Sequence, residues 1–232
     1  MINDWSYKPV AIVESDDTQD RWDRNGLNFL FYWKAKYPKF KITLFTIPER
    51  TSKEMLRLLE PFIKFQSEES EPWIELAVHG WNHESNFECF SWDYDRTMRL
   101  MERVENLWIY KKIFKAPGWT ITPDYCGYPA DENALISKDK QAVYKALTDR
   151  GYYIVDRHYN KPARPDNSKI LCIDDQSKFV HMHTWDMETG DKAGRNGYKQ
   201  VEEEKGVPWD HDTVFKFISE AITEGLIDPC KK

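Results

Sequence analysis

The sequence predicts an α/β fold built on parallel strands, either a barrel or a doubly wound sheet. Short apolar runs typical of buried strands alternate along the chain with apolar residues at helical spacing. Polar residues that could do chemistry follow such runs directly, as Asp16 and Asp17 follow Val10–Val13 and His79 follows Ile74–Val78. In parallel folds the residues that do chemistry gather at the carboxyl edge of the sheet.

The predicted strands are short, and several end at a polar or turn-forming residue. Their expected positions are residues 10–13, 42–47, 74–78, 113–115, 152–155, 170–173 and 179–182. After the first strand, Leu27, Leu30 and Phe31 recur at helical spacing, and Pro38 lies just past that helix.

Three further helices are expected. Thr51 and Glu54 have the spacing of a capping box, which predicts a helix start. A long amphipathic helix is predicted over residues 93–112, with Trp108 in its buried stripe. A last helix is predicted around residues 214–222. The turn Ala116-Pro117-Gly118 directly follows the fourth predicted strand, at 113–115.

The bulk properties favour one domain over residues 1–232, because strands and helices alternate without a linker. The net charge of −6, with Lys and Arg dispersed, argues against a nucleic-acid partner. No stretch approaches the roughly 20 apolar residues of a membrane span. The four cysteines are widely separated and the start does not resemble a secretion signal, so we expect a cytoplasmic protein.

The segment His79-Gly80-Trp81-Asn82-His83 holds two imidazoles four positions apart. Such a pair can converge on one metal ion, and Gly80 allows the sharp turn that this needs. Two ordinary surface histidines are the alternative.

Asp16 and Asp17 follow the first strand as adjacent carboxylates. On extended backbone they point in opposite directions, so one could ligate a metal while the other acts as a general base. A turn with a helix N-cap is the alternative interpretation.

Two more sets of residues could take part in chemistry. His181 and His183 are two residues apart on a predicted strand, so they share one face, and one of them could protonate a leaving group. Lys115 could hold a catalytic carboxylate by an ion pair. The alternatives are half-buried structural histidines and a lysine whose ammonium reaches solvent at a strand end.

These motifs, in this order, resemble those of the polysaccharide deacetylase family, also called carbohydrate esterase family four. The chain offers an acid pair in Glu14–Asp17, an H-x-x-x-H motif in His79–His83, Lys115–Gly118 in place of an R-x-P turn, and a late-strand histidine in Val180–His183. The resemblance covers about residues 10–186, and the metal-binding motif is its closest part.

The resemblance implies a distorted (β/α) barrel of about seven parallel strands and one divalent metal, most commonly Zn²⁺. It implies that Asp17, His79 and His83 are the metal ligands. The reaction would be hydrolysis of an N-acetyl or other acyl group from an amino sugar, in a glycan or a glycan precursor.

The resemblance also implies a role for each catalytic residue. Asp16 would be the base, and His183 would protonate the departing amine, unless His181 does so. Lys115 would steady Asp16 in place of the family's usual arginine, and the backbone N–H of Gly118 would hold the oxyanion.

The substrate is expected to be a carbohydrate, because aromatic residues make up 15% of the chain and three tryptophans flank the motifs. Trp81, Trp119 and Trp185 could stack on sugar rings, and His181 would line the acyl pocket. Core packing is the alternative role of the tryptophans. Two other functions stay open: a non-catalytic glycan-binding or structural protein on this scaffold, and a metal amidase that acts on a non-sugar amide.

Overall fold

The structure is a computed structural model, and it shows an α/β fold with a parallel sheet. It describes residues 10–15, 30–32, 34–64, 71–122, 139, 141–157, 164–165, 167, 169–172 and 179–183. The strands are β1 Val10–Ser15, β2 Ile42–Thr46, β3 Ile74–His79, β4 Ile113–Lys115, β5 Tyr153–Asp156, β6 Ile170–Cys172 and β7 Phe179–His183. Each begins within a residue of its predicted start, and every residue of β2, β3 and β4 is buried, as short apolar runs predict.

The order across the sheet is β6-β5-β4-β3-β2-β1-β7, and every neighbouring pair is parallel. The predicted α/β class with a parallel sheet is therefore confirmed, and the five strands from β2 to β6 are consecutive neighbours in this order. β6 and β7 lie at the two ends of this order, so the sheet is open in the part of the chain described. All strands run the same way, so their carboxyl ends share one edge.

Helix α1, Lys53–Ile63, begins one residue later than the predicted capping box implies. Its N-cap is Ser52, whose Oγ accepts the backbone N–H of Met55 at 3.0 Å. The hydroxyl of Thr51 instead donates to the carbonyl oxygen of Ile47 at 2.8 Å. The capping box of Thr51 and Glu54 was therefore wrong, because the strand-to-helix turn uses the threonine hydroxyl.

Helix α2, Tyr94–Glu105, is shorter than the predicted span of 93–112. Asp93 caps its start by accepting the backbone N–H of Arg96 at 2.7 Å. The chain turns after Asn106, and Trp108 has a left-handed φ of 50°. The prediction that Trp108 belongs to the buried stripe was wrong: it lies beyond the helix and its side chain is 64% exposed.

Helix α3, Ala142–Asp149, has no counterpart among the predicted elements. It lies before β5 and packs on α2. Its inward face carries Val143, Tyr144 and Leu147, a spacing that was sufficient to predict a helix. The predicted last helix at 214–222 lies outside the described residues.

The core has two apolar clusters. One packs α1 and the helical residues at 30–32 against β2 and β3, and it centres on Phe40, Leu59 and Trp73. The other packs α2 and α3 against β3, β4 and β5, and it includes Trp92, Phe114 and Tyr144. Among the described helices, none has both the length and the apolar surface needed to cross a membrane.

Candidate metal and catalytic site

His79 is the last residue of β3, and its side chain is completely buried. Its Nδ1 lies 3.2 Å from the carbonyl oxygen of Lys115, its register partner on β4. A carbonyl oxygen can only accept, so this contact requires the proton on Nδ1, and in a neutral ring the lone pair then lies on Nε2. Histidines that ligate a metal commonly hold their other ring nitrogen in this way. The ring is therefore in the tautomer that ligates through Nε2.

His83 lies beside His79 at the end of a tight loop. The two ring centroids are 5.1 Å apart and the ring planes are inclined by 56°. The loop reverses direction through left-handed backbone at Gly80, with φ of 64°, and at His83 itself, with φ of 50°. Arg50 also holds this loop, because its Nη2 donates to the carbonyl oxygen of His83 at 3.2 Å. The motif thus brings both imidazoles together at the carboxyl edge of the sheet.

The carboxylate of Glu88 organises the same loop and was missed by the sequence interpretation. Its Oε1 accepts the backbone N–H of Trp81 at 2.7 Å, and its Oε2 accepts those of Asn82 at 3.2 Å and His83 at 3.1 Å. Three successive N–H groups thus converge on one acid. Burial raises the pKa of Glu88 above its usual value, while these three donors and the nearby His79 oppose that shift.

Gly80 is required by this arrangement. A Cβ added to Gly80 would lie 1.7 Å from Oε1 of Glu88 and 2.7 Å from Cγ of Pro117. The Glu88 carboxylate therefore packs directly on the Gly80 backbone, whose N–H also donates to the carbonyl oxygen of Lys115 at 3.2 Å. The sequence signal for this role is an acid flanked by Phe87, Cys89 and Phe90, which would need hydrogen-bond partners if buried, but it does not identify the backbone donors that the acid binds.

The loop after β4 packs against the loop that carries the histidines. Gly118 has a left-handed φ of 56°, and a Cβ placed there would lie 2.8 Å from Cβ of Asn86. Thr120 fixes the same contact, because its hydroxyl donates to the carbonyl oxygen of Asn86 at 2.5 Å. The predicted oxyanion residue Gly118 thus lies in a turn that is held against the H-x-x-x-H loop.

Lys115 does not reach solvent at the end of β4, because its side chain is completely buried. Its Nζ donates to the carbonyl oxygen of Ala116 at 3.3 Å and lies 4.0 Å from the ring centroid of Trp119. The guanidinium carbon of Arg157, which follows β5, lies 4.3 Å from the same centroid. Two cations therefore contact one indole ring, an arrangement that favours positive charge here.

The predicted sugar-stacking tryptophans at 81 and 119 are both 8% exposed. The guanidinium carbon of Arg103 lies 4.1 Å from the Trp81 centroid, so that ring also contacts an arginine. Their roles in sugar stacking stay predictions, and Trp185 lies outside the described residues.

Asp156 is a buried acid at the carboxyl end of β5. Its Oδ2 accepts the hydroxyl of Tyr144 at 2.8 Å, and its Oδ1 accepts the backbone N–H of Arg157 at 2.8 Å. Arg164 adds an ion pair, with Nη1 3.8 Å from Oδ2. Burial and the negative charge of Asp156 raise the pKa of the Tyr144 phenol well above its usual value. Asp156 thus accepts two hydrogen bonds and pairs with an arginine at this edge.

The remaining predicted residues follow β1 or belong to β7. Asp16 and Asp17 lie outside the described residues. The backbone of β7 pairs His181 with Ile12 and His183 with Glu14. The late-strand histidine is thus in register with the end of β1, just before the acid pair.

The donor set of the histidine pair suits a divalent metal, because one ring has the required tautomer and the second ring is adjacent. Within the described ranges, no three His, Cys, Asp or Glu side chains form a group that could hold a metal. The third predicted ligand, Asp17, lies outside those ranges, so the predicted triad is not tested by that finding.

No model of a known protein family matches this chain, and no curated protein matches it either. The resemblance to polysaccharide deacetylases is therefore carried by the four motifs and their order along the parallel strands.

Proposed function

We propose that this chain is a metal-dependent hydrolase that removes an N-acetyl group from an amino sugar. The observation that carries the proposal is the pair His79 and His83. Their rings lie 5.1 Å apart, and the carbonyl oxygen of Lys115 keeps the His79 proton on Nδ1. A purely structural buried histidine has no need of a second imidazole beside it at the catalytic edge of a parallel sheet.

In this proposal His79, His83 and Asp17 hold the metal, with Zn²⁺ as the expected ion. When bound, the metal supplies a Lewis acid that polarises the acyl carbonyl and makes water more acidic. Asp17 follows β1, which is separated from β3 by β2 alone. Ligands from alternate strands fit a strongly curved sheet, and we therefore propose that the sheet belongs to a distorted barrel of about seven strands.

The protein's own groups would then move protons and stabilise charge. Asp16 takes a proton from the attacking water, and Lys115 keeps Asp16 in its ionised form. The backbone N–H of Gly118 donates to the oxygen that becomes negative when the carbonyl is attacked. His183, or His181 on the same strand, gives a proton to the amine nitrogen, because an amide expels its amine poorly without one.

The first experiment measures the metal content of the protein, purified without added zinc, by elemental analysis. We expect about one divalent ion per chain in the native protein and its loss in the variant His83→Asn. Asparagine is chosen because it tolerates the left-handed backbone at that position. His211→Asn is the matched control, since it removes a histidine outside every motif. Equal metal content in all three proteins would exclude the pair as ligands.

The second experiment measures acetate release from N-acetylglucosamine oligomers by the metal-loaded protein and by Asp16→Asn. We expect release by the native protein and a loss of several orders of magnitude in the variant. Metal binding without release from any N-acetylated sugar would reject the deacetylase proposal in favour of a binding protein or an amidase of another specificity.

A further inference from the structure

Three cations lie at the carboxyl ends of β4 and β5, and we call them the cation cluster: Lys115, Arg157 and Arg164. The first two contact the ring of Trp119, at 4.0 Å from Nζ and 4.3 Å from Cζ to its centroid. Because both atoms are measured to the same centroid, Nζ of Lys115 and Cζ of Arg157 are no farther apart than the sum of these two distances. Arg164 lies 3.8 Å from the carboxylate of Asp156.

The carboxylate of Asp156 contacts Tyr144, Arg164 and the backbone of Arg157, but not the guanidinium of Arg157. In the described part of the chain, that guanidinium has no carboxylate partner. The acid accepts the Tyr144 hydroxyl on one oxygen and the Arg157 backbone N–H on the other. The Arg157 guanidinium forms no ion pair within the described ranges, and its buried Nε has no hydrogen-bond partner there. A guanidinium that lies over an indole face can still use the N–H donors at its periphery to bind another group.

We propose that Arg157, stacked on Trp119, binds an oxyanion carried by the substrate, a phosphate or a carboxylate. The inference rests on the proposed function and specifies its substrate class: an N-acetylated amino sugar that bears an acidic group. A planar guanidinium binds either oxyanion through two parallel hydrogen bonds. Lys115 adds positive potential beside the same ring, whereas the charge of Arg164 is opposed by the carboxylate of Asp156.

The position of Arg157 links this subsite to the histidine pair. Lys115 is in register with His79 on one side and with Val155 on the other. Arg157 follows Val155 by two residues, so the histidine pair, Lys115 and Arg157 follow one another along the carboxyl edge. The chain carries a net charge of −6, which repels anions in general. A local cation cluster is therefore what an anionic substrate would need to approach this edge.

The direct test is calorimetric titration with inorganic phosphate at low ionic strength. We expect the native protein to bind phosphate and Arg157→Gln to bind it about tenfold or more weakly, the effect of losing a charged hydrogen bond. Arg157→Lys, which keeps the charge without the planar fork, should be intermediate. Circular dichroism of each variant checks that it has folded.

Two controls make the titration specific. Arg150→Gln removes the same charge at the C-cap of α3, at the other edge of the sheet, where Arg150 pairs with Glu105 at 2.8 Å. His83→Asn weakens the predicted metal site. Both should bind phosphate within about twofold of the native protein. Absence of binding to the native protein, equal binding by Arg157→Gln, or equal losses in either control would overturn the subsite.

A kinetic comparison separates the subsite from the reaction. Acetate release is measured with N-acetylglucosamine, its 1-phosphate and N-acetylmuramic acid. We expect a lower KM for at least one of the two acidic sugars than for N-acetylglucosamine. The sugar with the lower KM shows whether the subsite prefers a phosphate or a carboxylate, and Arg157→Gln should abolish the difference in KM. Release of acetate with equal KM values for all three sugars would reject the oxyanion subsite but would still support the proposed hydrolase function. No release from any sugar, with phosphate binding intact, would reject the hydrolase and leave an anion site.

Discussion

The carboxylate of Glu88 accepts the backbone N–H of His83 at 3.1 Å, so an acid outside the H-x-x-x-H motif fixes the second histidine of that motif. The same carboxylate accepts the N–H groups of Trp81 and Asn82. The loop between the histidines is therefore shaped by one buried side chain that follows it in the sequence. The positions of both imidazoles depend on this contact, which gives Glu88 a positioning role.

Replacing Glu88 with Gln should weaken both folding and metal binding. The amide retains one acceptor oxygen and places an NH₂ group against backbone donors, so we expect unfolding to become easier by about 2–3 kcal/mol in urea titrations. Zinc affinity, measured by competition with a chromophoric chelator, should fall about tenfold or more. Glu84→Gln is the control, because Glu84 is exposed in the same loop. Unchanged zinc affinity in Glu88→Gln would contradict the positioning role.

Replacing Gly80 with Ala should be far more damaging than the same change at Gly151. Both glycines have positive φ, 64° and 84°, so both variants carry backbone strain of about 1 kcal/mol. At Gly80 the new Cβ would lie 1.7 Å from the Glu88 carboxylate, whereas at Gly151 the nearest atoms are 3.9 Å away. We expect a loss above about 3 kcal/mol at Gly80 in thermal or urea unfolding. Similar losses in the two variants would show that the Glu88 contact does not matter.

Cys89 should be unreactive in the native protein. Its side chain is 1% exposed, and burial raises the pKa of its thiol well above the ordinary value, with the Glu88 carboxylate adding to the rise. Little thiolate is then present near neutral pH. We expect no alkylation of Cys89 by iodoacetamide at pH 8 and full alkylation in urea, read by mass spectrometry of the peptide that contains it. Rapid labelling of the folded protein would show that the second apolar cluster opens readily.

The ion pair of Glu105 and Arg150 should make stability depend on pH in the acidic range. The two hydrogen bonds from Arg150, at 3.0 and 2.8 Å, lower the pKa of Glu105 below its ordinary value. A lowered pKa in the folded state adds stability above the unfolded pKa, and that stability is lost as pH falls through the folded pKa.

The variant Glu105→Gln tests this dependence. It should cost about 1 kcal/mol or less near pH 7, because the pair is partly exposed, and the difference from the native protein should shrink as the pH falls through the lowered pKa of Glu105. Urea titrations at several pH values measure it. Glu102→Gln, an exposed position on the same helix, should show little change at any pH. A Glu105→Gln cost that persists at low pH would contradict the electrostatic origin.

Strands β2 and β3 could be predicted because their apolar runs are buried on both faces of the sheet, where every residue of both strands is buried. The ends of helices could not be predicted as well. Ser52 and Thr51 are equivalent cap residues by type, and the choice between them depends on the Thr51 bond to Ile47. That bond exists only once the strand and helix are placed.

The histidine pair could be predicted from its spacing, whereas the residues that fix it could not. Glu88 acts through backbone N–H groups, and no residue type in the sequence marks a backbone donor. Arg157 and Trp119 meet because β4 and β5 are neighbours, a contact between residues 38 positions apart in the sequence. Spacing rules describe contacts within one helix or strand. They therefore do not predict contacts between residues that meet only when the sheet has formed.

The proton on His79 is held by a carbonyl of the main chain at Lys115, and every amino acid has that group. Mutation at position 115 can exchange the ammonium for another side chain, yet it leaves the acceptor for His79 in place as long as β4 keeps its register. The hydrogen bond to Nδ1 of His79 therefore depends on the pairing of β3 with β4 and not on the residue type at position 115. A substitution at position 115 can therefore change the charge beside the histidine pair without removing the acceptor for His79 Nδ1.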